Sequence, residues 1–250
     1  MDPVYRSVIG VARTLFSVQG LRFTMVGEDR VPRAGGAVMA INHTGYMDFT
    51  YAGLVARRSG RYVRFMAKES IFQHRVSGPL MRGMHHIPVD RQRGAASFRA
   101  AVDALRAGEI VGVFPEATIS RSFELKEFKS GTVRMAQLAG VPILPTTIWG
   151  SQRVWTKDHP KRLGRSRIDI FVTVGEPILV GRRDDADEAT AALRAAMVDQ
   201  LHAQQSAYPV LEGTEQVYLP ARLGGLAPTP EEAHERDERD RSRTRDRFSG

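Results

Sequence analysis

Ala37-Val38-Met39-Ala40-Ile41-Asn42-His43-Thr44-Gly45-Tyr46-Met47-Asp48 carries the chain from an apolar run through a glycine turn into a helical period. The apolar run predicts a strand over Ala37–Asn42, and the period after it a helix over Met47–Arg57. His43 falls where the strand gives way, and Asp48, five residues on, falls in the helix's first turn. That geometry can bring the carboxylate back onto one imidazole nitrogen. A carboxylate there fixes the tautomer and stabilises the imidazolium, leaving the other nitrogen to take a proton from a hydroxyl. The plainer alternative is a capping aspartate beside a structural histidine, because a His and an Asp at this spacing are commonplace.

The same alternation runs outward in both directions. Strands are predicted near Leu21–Val26, Tyr62–Met66, His86–Pro88, Ile110–Phe114, Ile143–Trp149 and Ile168–Val174. Helices are predicted near Ser70–Met84, Ser97–Ala107, Thr132–Ala139 and Asp187–Ala207. Phe98, Ala101, Val102 and Leu105 form one face, and Gly108 follows where a C-cap glycine belongs. The reading is an α/β fold: a mostly parallel or mixed central sheet of about seven strands flanked by helices. In such sheets ligands bind on the loops that follow the strand ends.

The 250 residues suit one large or two small domains with a sizeable core. Cysteine is absent, which excludes disulfides, thiol catalysis and cysteine-ligated metals. Lys plus Arg outnumber Asp plus Glu by 36 to 28, so a net charge of +8 calls for an anionic partner. Arginines number 31 against five lysines, a bias that suits a GC-rich bacterial genome.

Three segments are expected. Residues 1–20 form an amphipathic helix, with Val4, Val8, Val11 and Leu15 on one side and Arg6 and Arg13 on the other. Such a helix either lies in a membrane interface or packs on the core. Residues 21–215 form the main domain. Residues 224–250 form a charged tail with almost no hydrophobe, expected to be solvated and disordered. No apolar run reaches the ~18–20 residues of a spanning helix, and Asp2 and Pro3 stand where a signal peptide would be basic. A peripheral protein on the cytoplasmic face of the membrane is the expectation.

Three further stretches bear on chemistry. In His85-His86-Ile87-Pro88-Val89-Asp90-Arg91, adjacent histidines on a strand point to opposite faces, which argues against a shared metal. Arg91, just past the strand end, has the planar fork that suits a phosphate. In Val113-Phe114-Pro115-Glu116-Ala117-Thr118-Ile119-Ser120-Arg121 a strand delivers a carboxylate and a hydroxyl at its C-terminal end, and Phe128-Lys129-Ser130-Gly131 then opens a helix as an anion cradle. Val141-Pro142-Ile143-Leu144-Pro145 carries no titratable group and reads as a wall.

These four stretches, in this order, resemble the glycerophospholipid acyltransferases, specifically the 1-acylglycerol-3-phosphate acyltransferases, over roughly Val26 to Pro177. The intervening Ala67-Lys68-Glu69 resembles the family's segment between its first two motifs. The resemblance implies acyl transfer from acyl-CoA or acyl-carrier protein to a lysophosphatidic acid-type acceptor, with no metal and no other cofactor. It implies His43 as general base and Asp48 as its orienting carboxylate. Arg91, Glu116, Thr118, Arg121, Lys129 and Lys68 are the implied substrate-binding residues.

The third motif departs from the family's Phe-Pro-Glu-Gly-Thr-Arg: Ala117 replaces the glycine and Ile119 the arginine. Loss of a phosphate-facing cation costs roughly 1.5–3 kcal/mol unless replaced, and Arg121 is the candidate replacement. The competing readings are the same chemistry on another acceptor, or a non-catalytic basic module on lipid or nucleic acid. Nucleic acid is not expected as a partner, because zinc spacing, RNA-binding strands and repeat codes are all missing from the sequence.

Overall fold

A computed structural model describes residues 2–90 and 94–248, with side chains through 242. Seven strands form one sheet: β1 (Arg22–Val26), β2 (Ala37–Ile41), β3 (Val63–Lys68), β4 (Ile87–Val89), β5 (Ile110–Val113), β6 (Ile143–Trp149) and β7 (Asp169–Val174). Their spatial order is β1-β7-β6-β2-β5-β3-β4, and every neighbouring pair is parallel except β6 with β7. The helices are α1 (Pro3–Gln19), α2 (Asp48–Val55), α3 (Glu69–Gln73), α4 (Ser77–Gly83), α5 (Gly94–Arg106), α6 (Gly131–Ala139), α7 (Ala186–Ala207) and α8 (Pro230–Phe248).

The side-chain period of two explains why β2 is buried throughout. Val38 and Ala40 join Ala101, Leu105, Val133, Leu193 and Met197 under α5, α6 and α7. Ala37, Met39 and Ile41 join Phe16, Tyr51, Ala52, Val55, Leu144 and Ile148 under α1 and α2. Each fully buried large aliphatic side chain contributes about 1.5–3 kcal/mol relative to exposure. The two layers press the C-terminal ends of β2, β5 and β6 together, and the loops leaving those ends converge.

Several expected boundaries move. The helix expected over Ser70–Met84 is two helices, because His74 is extended and its Nδ1 accepts from the Val76 and Ser77 N–H groups at 3.3 and 3.4 Å. Pro79 follows within the first turn of α4, where its missing N–H costs nothing. Residues 1–20 are not a separate unit: Phe16 lies 5.2 Å from the Tyr51 ring, and the Tyr5 hydroxyl donates to the Val63 carbonyl at 2.8 Å. Asp2 caps α1 through the Tyr5 N–H and pairs with Arg64 at 2.7 Å. One side of α1 therefore packs on the core, while Val11, Leu15 and Val18 stay exposed. No helix among the described residues is long and apolar enough to cross a membrane.

The main body also runs past residue 215, since Tyr218 and Ala227 are buried in the cluster under α7. Beyond it the chain is helical where disorder was expected. Thr229 and Glu232 form a capping box: the Thr229 N–H donates to Glu232 at 3.0 Å, and the Glu232 N–H donates back to Thr229 Oγ1 at 3.3 Å. Arg241 pairs with Glu238 one turn earlier at 3.0 Å. Low hydrophobicity argues against a packed core but not against a capped, charge-paired helix.

Candidate active site

β2 ends with a side chain that imitates backbone. Asn42 is fully buried; its Nδ2 donates to the Ile148 carbonyl at 3.0 Å and its Oδ1 accepts from the Ile148 N–H at 2.7 Å. The ladder to β6 is thereby completed while the main chain peels away at His43.

The turn then folds back on itself. His43 Nδ1 donates to Asp48 Oδ2 at 3.0 Å, and the Thr44 and Gly45 N–H groups each donate to the same oxygen at 2.8 Å. Asp48 Oδ1 accepts from the Ser151 hydroxyl, which also lies 3.1 Å from Thr44 Oγ1. A fully buried carboxylate would cost several kcal/mol if left unpaired; here each oxygen has donors, and Asp48 is 0% exposed. Gly45 is required at this contact, because a Cβ there would meet Ser151 Oγ at 2.9 Å.

An ionised carboxylate accepts only, so Nδ1 carries the proton and Nε2 holds the lone pair. The imidazole stacks on Phe114 with ring centroids 4.1 Å apart, and the side chain is 20% exposed. The ring is thus held on one face, tied at one nitrogen and still partly exposed.

Glu116 does not line this opening. It is buried, with Oε1 accepting from the His43 N–H at 2.7 Å and Oε2 from the Lys126 N–H at 3.0 Å. Glu116 thereby ties the His43 backbone to the loop after β5. Burial pushes its carboxyl up to about 8, against the pull of those two N–H donors. The Ser120 N–H completes the tie by donating to the His43 carbonyl at 2.7 Å.

The other expected residues divide. Thr118 Oγ1 accepts from Lys157 at 2.9 Å. Arg121 is buried among carboxylates: Asp158, Asp237 at 3.0 Å, and Asp240. Ile119 points into the core at 3% exposure. Lys129 is exposed just ahead of α6, its N–H on the Pro115 carbonyl at 3.1 Å. Lys68 is exposed at the end of β3. Arg91 lies outside the described residues. His86 is a buried acceptor for the Phe65 N–H at 3.0 Å, and burial lowers its imidazole to about 4.

Ala117 has a left-handed backbone, with φ of 59°, a conformation that favours glycine. Sequence reasoning missed Ser151, Phe114, Lys126 and Lys157 as parts of the site. Phe114 was legible as the residue that follows β5, but nothing local marks the other three.

A family model described as Acyltransferase matches residues 22–149, more than half of the chain, and the chain belongs to that family. Among similar proteins is the 1-acyl-sn-glycerol-3-phosphate acyltransferase of Bacillus subtilis, 29% identical over 148 residues, 59% of this chain and 72% of that protein. The protein of the same name from Borreliella burgdorferi is 26% identical over 147 residues, 56% of each chain. The crystal structure of the 1-acyl-sn-glycerophosphate (LPA) acyltransferase PlsC from Thermotoga maritima superposes with a TM-score of 0.67 at 18% identity, covering 82% of this chain and 81% of that one. The last likeness is one of fold.

Proposed function

We propose that the protein transfers a fatty acyl group from an acyl thioester, carried by coenzyme A or acyl-carrier protein, to the free hydroxyl of a lysophosphatidic acid-type acceptor. The observation that carries this reading is the His43–Asp48 pair: one imidazole nitrogen is tied at 3.0 Å to a buried carboxylate while the histidine side chain stays partly exposed. In the proposed step Nε2 takes the acceptor's hydroxyl proton as that oxygen attacks the thioester carbon. Asp48 stabilises the imidazolium. The carbon–sulfur bond then breaks, His43 returns the proton to the departing sulfur, and the products are an ester and a free thiol.

A thioester is activated enough that a positioned base and orientation supply much of the acceleration. The names of the similar proteins support a glycerophosphate acceptor. The exposed Val11, Leu15 and Val18 of α1 support seating on the cytoplasmic face of an anionic membrane, where such an acceptor resides.

The test is His43→Ala assayed with lysophosphatidic acid and an acyl-CoA. The expected result is a fall in kcat of roughly 10²–10⁴-fold with an unchanged unfolding midpoint. A folded variant that keeps full turnover overturns the mechanism.

A further inference from the structure

Away from the His43 turn, three cations form a knot around one carboxylate. Asp237 of α8 is 5% exposed; its Oδ1 accepts from Arg121 Nε at 3.0 Å and Lys157 Nζ at 3.1 Å, and its Oδ2 accepts from Lys126 Nζ. Burial alone would raise this carboxyl, but the bonds from Lys126 and Lys157 hold it below the usual carboxylate range. Asp240, one turn on, also reaches Arg121.

This knot is joined to the catalytic turn by backbone. The Lys126 and His43 N–H groups share the Glu116 carboxylate. On the other side, Thr156 Oγ1 donates to the Thr44 carbonyl at 2.6 Å and the Tyr46 N–H donates to the Trp155 carbonyl at 2.9 Å, so Lys157 follows directly from residues bonded to the turn.

Charge describes what fits. The body of the protein supplies these three cations and Asp158, which pairs with Arg121, and without α8 these four groups sum to +2. A phosphate monoester near neutral pH carries close to two negative charges and offers several acceptor oxygens. The carboxylate now in place satisfies the same donors with one charge and two oxygens.

The hold on α8 is electrostatic. Among its described side chains only Ala233 and Asp237 are buried. Undocking would therefore expose little apolar surface, and the capping box lets the helix persist when free.

We propose that Arg121, Lys126 and Lys157 form a seat for the acceptor's phosphate monoester, and that Asp237 occupies this seat as a tethered competitor. The inference rests on the acyl-transfer reading for the identity of the acceptor. Helix α8 and the acceptor's headgroup exclude one another, so the fraction of chain with α8 undocked scales the apparent affinity for the acceptor.

The experiment compares the full-length protein with Asp237→Asn. If α8 is docked about nine-tenths of the time, the variant lowers the KM for lysophosphatidic acid about tenfold, with kcat unchanged. The KM for a neutral monoacylglycerol stays put. An unchanged or raised KM for lysophosphatidic acid overturns the proposal while leaving acyl transfer standing.

Calorimetric titration with glycerol 3-phosphate reads the seat without turnover. If neither protein is active, tightening of about tenfold in the variant supports the seat and rejects the acyl-transfer reading; equal binding rejects the seat. Inorganic phosphate is the remaining arm: tighter binding of phosphate alone, with lysophosphatidic acid unaffected, assigns the seat to a free anion and overturns the proposal. Should Asp237→Asn fail to fold, Asp240→Asn, at a side chain 54% exposed, is expected to move the same KM about threefold in the same direction. No movement there counts against it.

Discussion

Asp48 and Asp237 are both buried aspartates with at least three donors, and the donors differ in kind. Asp48 is held by two backbone N–H groups, a serine hydroxyl and an imidazole; three of these four come from within five residues of it in sequence. Asp237 is held by the tips of an arginine and two lysines that lie 80 to 116 residues away. Backbone donors cannot swing away, so the carboxylate of the turn is preorganised and needs no rearrangement during a reaction. Side-chain cations on flexible stems exchange one anion for another readily. The same residue type, equally buried, is fixed in one region and replaceable in the other.

The largest effect on this contrast is expected from Asp48→Asn. The amide keeps an oxygen for part of the donor set but loses the charge that selects the Nδ1–H tautomer, so kcat should fall roughly 10²–10⁴-fold. A pH–rate profile and kcat for the purified variant check it, and a loss under tenfold removes Asp48 from the proton path.

Glu116 joins the two regions, and its effect is intermediate. Its folded carboxyl sits at about 8, raised by burial above its ordinary value of 4.5. Between those values the folded state binds the proton that the unfolded state has released, so stability falls as pH rises from about 4.5 to about 8. Glu116→Gln should flatten that decline while costing about 1–3 kcal/mol, because one backbone N–H loses its acceptor. Urea unfolding at pH 5.5 and 7.5 is the measurement; a variant with the parent's pH slope would assign the decline to other groups.

The smallest effect is expected at Ala117, an exposed residue with φ of 59° in the loop that carries Arg121 and Lys126. A left-handed L-residue costs about 1–2 kcal/mol, partly offset by the greater unfolded-state freedom of glycine. Ala117→Gly should therefore stabilise the protein by about 0.5–1 kcal/mol, read as a higher denaturation midpoint. A lower midpoint would show that the alanine methyl makes a contact worth more than the strain.

Legibility along the chain follows the range over which each feature is encoded. All seven strands lie where apolar runs bounded by turns put them, and α5 and α7 where helical periods do. The His43–Asp48 bond was readable because strand, turn and first helical turn fit within twelve residues. The tie of Glu116 to the His43 backbone was not legible, because a motif position does not say which way a side chain turns once its loop meets another strand's end. The tail was misjudged as disordered because composition was weighed and the Thr229–Glu232 capping pair was not.

By itself the sequence determined the alternation of strands and helices and the pairing of one imidazole with one carboxylate. Both arise from periods and turn chemistry acting over a few residues. The order β1-β7-β6-β2-β5-β3-β4 was decided only in three dimensions, and with it the meeting of Ser151 with Asp48, of Phe114 with the imidazole, and of α8 with its three cations. Those contacts join residues that no local pattern connects. The first two form because burying both apolar layers brings these strand ends side by side; the third forms because side chains of opposite charge meet there.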